Sequence, residues 1–218
     1  MRLGSKINMN KKFLDRIYKP DLDLSTTQLY KEWASSYEDE LNSNKYVTPR
    51  RCADMLMKYC ANPRIKVLDL GCGTGLSGEA LHARGFHQID GLDLSSEMLT
   101  LAKEKAIYSK LINDDLNTLV KLDQIYNGMI GAGVISPGHA NPETINVALS
   151  LLQSPGVFVF SLNDHALADS AFIKEVETIL SSPSVEILEE EYGDHIIDIN
   201  LKAKIFAIRN KHWNASKD

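Results

Sequence analysis

The stretch that decides the fold is Ile65-Lys66-Val67-Leu68-Asp69-Leu70-Gly71-Cys72-Gly73-Thr74-Gly75. Its apolar first half predicts a strand that is buried on both faces. Three glycines follow at alternate positions, and a helical pattern then runs from Leu76 to Gly85. A strand, a glycine turn and a helix in this order are typical of a nucleotide-type cofactor site, because bare backbone and free helical N–H groups face the ligand.

The spacing of the glycines narrows the choice of cofactor. A dinucleotide fingerprint, Gly-x-Gly-x-x-Gly/Ala, needs a small third residue where Leu76 stands. No Lys-Ser/Thr pair follows the turn, which excludes a phosphate-binding P-loop. A carboxylate, Asp69, lies two residues before Gly71 and suits a ligand with a cationic end, such as S-adenosylmethionine with its ammonium and sulfonium groups. The alternative is that Asp69 ties down the loop itself.

Two further predicted strands end in acids. The second strand, 89–94, contains Asp93 near its end, and an acid roughly 20 residues beyond the turn is where a ribose diol is held. The third strand, 111–113, leads into Asp115, whose carboxylate can accept from an adenine amino group. The alternative for both acids is that they cap the segments that follow the strands.

Five stretches together resemble one known family, in this order and at these intervals. They are Tyr30–Tyr37, Val67–Gly75, Ile89–Ser95, Ala132–His139 and Pro155–Phe160. Over residues 30–162 the chain resembles the class I S-adenosylmethionine-dependent methyltransferases, and among these the Williams–Beuren-region methyltransferase-like proteins. The resemblance implies an α/β fold: a Rossmann-like seven-stranded, mostly parallel sheet with helices on both faces, an antiparallel last strand and an N-terminal helical lid.

The resemblance also implies roles for single residues. The turn at 71–75 would hold the methionine end of the cofactor, Asp93 the ribose, and Asp115 with Leu116 the adenine. Three aromatic residues would lie on the lid, although a helix packed on the core is the alternative for that segment. The full predicted cofactor-binding set is Tyr30, Trp33, Tyr37, Asp69, Gly71, Cys72, Gly73, Gly75, Asp93, Leu94, Met98, Asp115, Leu116 and Gly131.

The chain departs from the family pattern at three places. Asn127 replaces the acid often found where the fourth strand begins, and 155–157 keeps one of two usual glycines. Glu38 replaces the aspartate after the second lid tyrosine. None of these positions lies in the glycine turn, so they bear on substrate handling more than on cofactor use.

Candidate catalytic residues follow from the topology. In open α/β sheets ligands bind beyond the carboxyl ends of the strands, so the loops after the fourth and fifth strands face the substrate. His139, in the first of these loops, is the candidate general base because its ordinary pKa suits proton transfer near neutral pH. The alternative is a loop histidine that bonds the backbone, and Asp164 and His165 are weaker candidates. The other histidines fall at predicted surface or helix positions without ligand spacing, so no metal site is expected: His82, His87, His195 and His212.

Composition predicts one soluble domain, and the lack of a secretory signal or of a membrane-length apolar run predicts a cytoplasmic location. The chain has 218 residues, of which 44% are hydrophobic and 24% charged. We divide it into a flexible arm at 1–24, the helical lid at 25–62 and the core at 63–218. The formal net charge of −5 disfavours a nucleic-acid partner. Three cysteines without a C-x-x-C pair predict neither a disulfide framework nor a zinc site, and Cys72 fits the turn as a small residue rather than as a reactive thiol.

Local patterns predict several element ends. Thr48, followed by Pro49, is expected to cap a helix, and Ser95 another. Two late strands, 185–192 and 197–208, predict an antiparallel hairpin with its turn at Gly193-Asp194.

The predicted function is methyl transfer from S-adenosylmethionine to a small-molecule acceptor. The alternative is a non-catalytic binding module on the same fold, and a nicotinamide reductase ranks third. No nucleic-acid or membrane partner is expected, and the sequence leaves a homodimer open.

Overall fold

A computed structural model of the chain describes residues 38–117 and 126–211, which form a seven-stranded sheet flanked by helices. The strands are β1 (Lys66–Leu70), β2 (Gln88–Asp93), β3 (Lys110–Asn113), β4 (Tyr126–Gly131), β5 (Leu152–Asn163), β6 (Val185–Ile196) and β7 (Leu201–Asn210). The helices are α1 (Thr48–Tyr59), α2 (Leu76–His82), α3 (Ser96–Glu104), α4 (Thr144–Leu151), α5 (Asp164–Ala168) and α6 (Ser170–Leu180). Over these two ranges, no helix combines the length and apolar character needed to cross a membrane.

The strand order in the sheet is β3-β2-β1-β4-β5-β7-β6. Strands β1 to β5 pair in parallel, whereas β7 runs antiparallel to both of its neighbours. The order reverses between β1 and β4, and a crevice at such a switch point is where open α/β sheets bind ligands. The predicted sheet, with its antiparallel last strand, is confirmed.

Two apolar layers cover the faces of the sheet, because successive strand residues point to opposite sides. On β5, Val157 and Val159 pack in the same cluster as Leu56 of α1. Their neighbours Phe158 and Phe160 face the other layer, and their rings stack with 5.1 Å between centroids. These layers fix the relative positions of the strand ends, where the candidate site lies.

The chain before α1 reaches the far edge of the sheet. Residues 38–43 are helical, and the segment 44–47 then lies against the end of β6, where the Val47 N–H donates to the His195 carbonyl at 3.0 Å. The predicted lid aromatics, Tyr30, Trp33 and Tyr37, and the arm at 1–24 lie outside the described residues. The lid and the domain division therefore stay predictions.

The antiparallel pairing of the last two strands is confirmed, but the predicted position of their turn is wrong. Strand β6 continues through Gly193 and Asp194, and the chain reverses at a short 3-10 helix, Ile197–Ile199, and Asn200, which has φ +53. Gly193 serves a different purpose: a methyl group there would come within 2.9 Å of Arg51 Nη2. Arg51 donates to the Asp194 carbonyl at 2.6 Å, so the glycine makes room for a side chain rather than for a turn.

One predicted helix cap is correct and one is wrong. Ser95 Oγ accepts from the Met98 N–H at 3.2 Å and caps α3 as expected. Thr48 instead is the first residue of α1, and its Oγ1 lies 2.7 Å from Nδ1 of His195. The surface position predicted for His195 is also wrong, since its side chain is buried on β6. Burial lowers the pKa of His195 to about 4, with a contribution from the nearby Arg51 charge, so the ring is neutral.

Candidate functional site

The turn after β1 exposes bare backbone. Gly71, Gly73 and Gly75 all have positive φ, at +64, +53 and +102, a region that residues with a Cβ rarely adopt. Gly75 is also the N-cap residue of α2. A methyl group placed on Gly73 would meet no atom within 4 Å, so this residue faces open space. The turn therefore leaves main chain accessible beside the start of a helix.

That open space is a cavity of about 290 Å³. It lies at the carboxyl ends of β1 to β4 and is close to the lower end of the range for small-molecule sites, roughly 300–1,000 Å³. The residues that line it are Gly71, Gly73, Asp93, Leu94, Ser95, Met98, Asp115, Leu116, Asn117, Ala132, Gly133, Val134, Gly138, His139 and Ala140.

Asp93 joins the ends of two strands. Its Oδ2 accepts from the Gly73 N–H at 2.8 Å, and its Oδ1 accepts from the Ser95 N–H at 2.9 Å. A carboxylate has about four acceptor positions, so each oxygen keeps one for a ligand hydroxyl. Burial raises the pKa of the Asp93 carboxyl, while these two backbone N–H groups oppose the rise. Asp93 thus both holds the glycine turn and offers acceptors at the cavity wall.

The adjacent part of the wall is built around the end of β3, which pairs with β2. Asp115 Oδ1 accepts from the Asn117 N–H at 2.9 Å, and Leu116 between them is buried. Asn117 Oδ1 in turn accepts from the Asn141 N–H at 2.9 Å, which ties this strand end to the loop after β4. Leu94, which also lines the cavity, is 51% exposed, unusual for a leucine. An apolar side chain and a carboxylate in one cavity lining suit a flat, amine-bearing ring such as adenine.

His139 lies on this same side of the cavity. Its Nδ1 is 3.0 Å from Ser136 Oγ, and its carbonyl accepts from Asn117 Nδ2 at 3.5 Å. Burial lowers the pKa of His139, so the imidazole is neutral at neutral pH. It is in the protonation state that a base requires, although its contacts join it to the Asp115 wall rather than to the glycine turn.

Asp69 lies beneath the turn and is not among the lining residues. It is fully buried, and its Oδ2 accepts from Ser77 Oγ at 2.6 Å and from Tyr108 Oη at 2.7 Å. Its Oδ1 has no hydrogen-bond partner within 38–117 and 126–211. Burial raises the pKa of Asp69 to about 7, against the two hydroxyl donors. Of the two alternatives for Asp69, these contacts match the one in which it ties down the loop.

The raised pKa makes a prediction about stability. An ordinary Asp titrates near 3.9, so the folded state releases its Asp69 proton only as the pH rises towards 7, and stability is lost over the interval from about 4 to 7. Asp69→Asn cannot ionise and should be more stable than the unsubstituted chain at pH 8, by roughly 2–4 kcal/mol or about 4–15 °C in Tm. The gain should shrink by about 2 kcal/mol at pH 5.5.

Thermal melts of the cofactor-free protein at both pH values measure this difference. The matched control is Asp54→Asn, which removes an exposed carboxylate on α1 that is paired with Arg84, and which should show no gain that grows with pH. A lower Tm for Asp69→Asn at both pH values would contradict the prediction.

Tyr108 is a residue that the sequence analysis missed. Methyl groups on Gly78 and Gly91 would both collide with its ring, so two glycines on separate elements leave room for the phenol. In the sequence, the signal for Tyr108 is the combination of these two glycines with a distant tyrosine. Cys72 Sγ packs in the same place, and burial raises the pKa of its thiol well above the ordinary value, which opposes the reactive-thiol alternative.

The predicted cofactor set divides into three groups. Those at the cavity wall are Gly71, Gly73, Asp93, Leu94, Met98, Asp115 and Leu116, and the predicted base His139 joins them. Those within the described residues but away from the wall are Asp69, Cys72, Gly75 and Gly131. Those outside the described residues are Tyr30, Trp33 and Tyr37. In the parts of the chain that the structure covers, no group of three or more His, Cys, Asp or Glu side chains could hold a metal ion.

The site's chemistry fits S-adenosylmethionine. Gly73 provides a stretch of cavity wall without a side chain. Asp93 provides hydrogen-bond acceptors for the ribose diol, and Asp115 with Leu94 provides a place for the adenine ring. The Asp93 and Asp115 carboxylates at the cavity wall add negative potential towards a cationic ligand end. The negative charge of a pyrophosphate would be repelled by these carboxylates.

Comparisons with known proteins agree with this geometry. Residues 67–154 match a family model described as "Methyltransferase domain". Methyltransferase-like protein 27 of Homo sapiens is 35% identical over 94 residues, which are 42% of this chain and 38% of that protein. The 18S rRNA (guanine-N(7))-methyltransferase RID2 of Arabidopsis thaliana is 34% identical over 92 residues, which are 37% of this chain and 31% of that protein. The chain thus spans less than two fifths of either relative.

A bacterial relative and a solved structure extend over more of the chain. The ubiquinone biosynthesis O-methyltransferase of Chromobacterium violaceum is 28% identical over 163 residues, 71% of this chain and 68% of that protein. The magnesium protoporphyrin IX methyltransferase of Synechocystis PCC 6803 was solved with bound S-adenosylhomocysteine (SAH). It superposes with a TM-score of 0.60 at 18% identity, over 84% of this chain and 98% of that one. This last likeness concerns the fold. The part of the chain that matches a methyltransferase domain, residues 67–154, thus contains the switch point of the sheet and the residues that line the cavity.

Proposed function

We propose that this chain transfers a methyl group from S-adenosylmethionine to a small-molecule acceptor. The observation that carries the proposal is the arrangement of three strand tips around one cavity: bare Gly73 after β1, Asp93 at the end of β2 and Asp115 after β3. Each offers a group that a different part of an adenosyl sulfonium requires. Packed side chains between these tips would have left no room for such a ligand.

The chain's own residues have limited chemical work to do. S-adenosylmethionine, when bound, supplies a methyl group on a sulfonium, which is electrophilic without further activation. The protein must orient the acceptor and exclude water, and positioning of this kind can lower a barrier by roughly 7–11 kcal/mol. If the acceptor is a hydroxyl or a protonated amine, a base contributes as well. His139, neutral and at the cavity wall, is our candidate for that role.

Charge favours a small acceptor over RNA. The formal net charge of −5 gives the chain no overall attraction to a phosphate polymer. The names of the relatives do not decide the matter, because they include both an rRNA methyltransferase and a ubiquinone biosynthesis enzyme. We therefore base the acceptor class on charge, and we include RNA as an arm of the test.

The first experiment measures cofactor binding. SAH, the product form, should raise the Tm of the protein by several degrees at 1 mM, since a ligand at 100 times its Kd stabilises by about 2.7 kcal/mol. NADH at the same concentration serves as the control and should leave the Tm unchanged. A shift with NADH and none with SAH would overturn the proposal.

The second experiment separates an enzyme from a non-catalytic binding module. SAH formation is followed by mass spectrometry with S-adenosylmethionine and a panel of phenols, amines, thiols and carboxylic acids, beside an arm that contains rRNA. We expect turnover with a small acceptor, and a loss of 10-fold or more in kcat for His139→Gln with the SAH affinity kept within threefold. Turnover with rRNA alone would refute the small-molecule acceptor, and binding without turnover on any acceptor would favour the module.

A further inference from the structure

One lysine joins three separate parts of the chain behind the glycine turn. Lys105 is the C-cap residue of α3, and its Nζ lies 2.8 Å from Glu79 Oε2 and 3.1 Å from Glu38 Oε1. Glu79 belongs to the first turn of α2, which begins directly after Gly75. Glu38 is the first described residue of the helical segment 38–43. The contact with Glu38 bridges 67 positions in sequence.

The stem of the same lysine packs on the turn itself. A methyl group on Gly75 would lie 2.9 Å from Lys105 Cδ, and the Tyr108 ring would be 3.2 Å away. Tyr108 continues inward to Asp69, to which its hydroxyl donates. Lys105 therefore covers the outer side of a turn whose inner side, at Gly71 and Gly73, lines the cavity.

The contact differs from an ordinary surface ion pair in its burial and in its number of partners. The Lys105 side chain is only 15% exposed, and it has two carboxylate partners rather than one. Burial works against its charge, but hydrogen bonds to Glu79 and Glu38 outweigh burial and raise the pKa of Lys105, so the ammonium stays charged. Isolated exposed pairs contribute little to stability, whereas removing one partner of a half-buried network leaves a charge without compensation.

We propose that Lys105 is a positioning residue for the cofactor: by clamping Glu38 and Glu79 across the back of the glycine turn, it holds the turn in the conformation that binds. Each glycine loses more backbone freedom on ordering than other residues do, so a ligand binds this three-glycine turn at a lower entropic cost when the turn is already ordered. The inference rests on the proposed function, because it concerns the affinity of the same cavity. It assigns that affinity partly to a residue that touches no ligand.

The test is a double-mutant cycle on SAH affinity. Isothermal titration calorimetry at pH 8 and 20 °C compares the unsubstituted chain with Lys105→Met, Glu38→Gln and the double variant. We expect a Kd increase of 5- to 20-fold for Lys105→Met and of 3- to 10-fold for Glu38→Gln. The double variant should be no weaker than Lys105→Met, because both changes remove one interaction. Lys105→Arg, which keeps the charge and most of the stem, should stay within threefold of the unsubstituted chain.

The matched control is Arg209→Met, which removes the cation of the Arg209–Glu186 pair between β7 and β6, the two strands farthest from β3 in the sheet. Its Kd should not change, even if its Tm falls. A Kd within twofold for folded Lys105→Met, or a fully additive double variant, would overturn the inference. If Lys105→Met does not fold, Glu38→Gln and Lys105→Arg decide the question. If the unsubstituted chain itself does not bind SAH, the proposed function fails, and that outcome is distinct from the others.

Discussion

Asp93→Ala is expected to remove measurable SAH binding, with an increase in Kd of at least 100-fold. The carboxylate offers acceptors for the ribose diol and also accepts from the N–H groups of Gly73 and Ser95. Hydrogen bonds to a charged group contribute about 1.5–3 kcal/mol each, so the loss of two ligand hydroxyl contacts alone costs roughly 3–6 kcal/mol. Calorimetric titration with SAH measures the effect, and the Tm of the cofactor-free protein reports the change at the turn.

A second acidic residue provides the matched control for this substitution. Asp169 is the N-cap residue of α6, where its Oδ1 accepts from the N–H groups of Ala171 and Phe172, and it does not line the cavity. Asp169→Ala should lower the Tm through the lost cap, by about 1 kcal/mol in stability, and leave the SAH affinity unchanged. A Kd for Asp93→Ala within threefold of the unsubstituted value would show that the strand tip does not hold the nucleoside.

Gly71→Ala is expected to destabilise the fold by about 2–5 kcal/mol, or roughly 4–20 °C in Tm. The residue has φ +64, which costs a side-chain-bearing residue about 1–2 kcal/mol. The added methyl group would also overlap Val134, whose Cβ would be only 2.8 Å away. Overpacking of this kind adds about 1–3 kcal/mol. Thermal or urea unfolding without cofactor measures the loss.

A neighbouring glycine separates stability from binding. A methyl group at Gly73 meets nothing within 4 Å, so Gly73→Ala should cost only the backbone strain, about 1–2 kcal/mol, yet weaken SAH binding because it fills the cavity wall. Combining Gly71→Ala with Val134→Ala should recover part of the lost Tm. Equal Tm losses for Gly71→Ala and Gly73→Ala would contradict this account of the turn.

Much of the fold was predictable because its signals are local. The alternation of strands and helices gave the sheet, and glycines directly after β1 with an acid at the end of β2 indicated the cavity. These features lie within about 25 residues of each other, and each depends on backbone geometry that a short stretch already specifies. The turn between β6 and β7 was misplaced because its signal is not local. Gly193-Asp194 is a typical turn sequence, but the glycine is required there by Arg51, a side chain distant in sequence.

The sequence by itself determined the class of cofactor, since glycine spacing and strand-end acids are properties of contiguous residues. Only the tertiary structure decided which acids line the cavity. Asp69 lies outside the cavity lining and accepts hydrogen bonds from Ser77 and Tyr108, whereas Asp93 lies at the cavity wall. The tertiary structure also joined Lys105 to Glu38 and buried His195 against Thr48, pairs that are 67 and 147 residues apart. The physical reason is that such partners meet only after the two apolar layers pack around the sheet and bring distant segments within hydrogen-bond range.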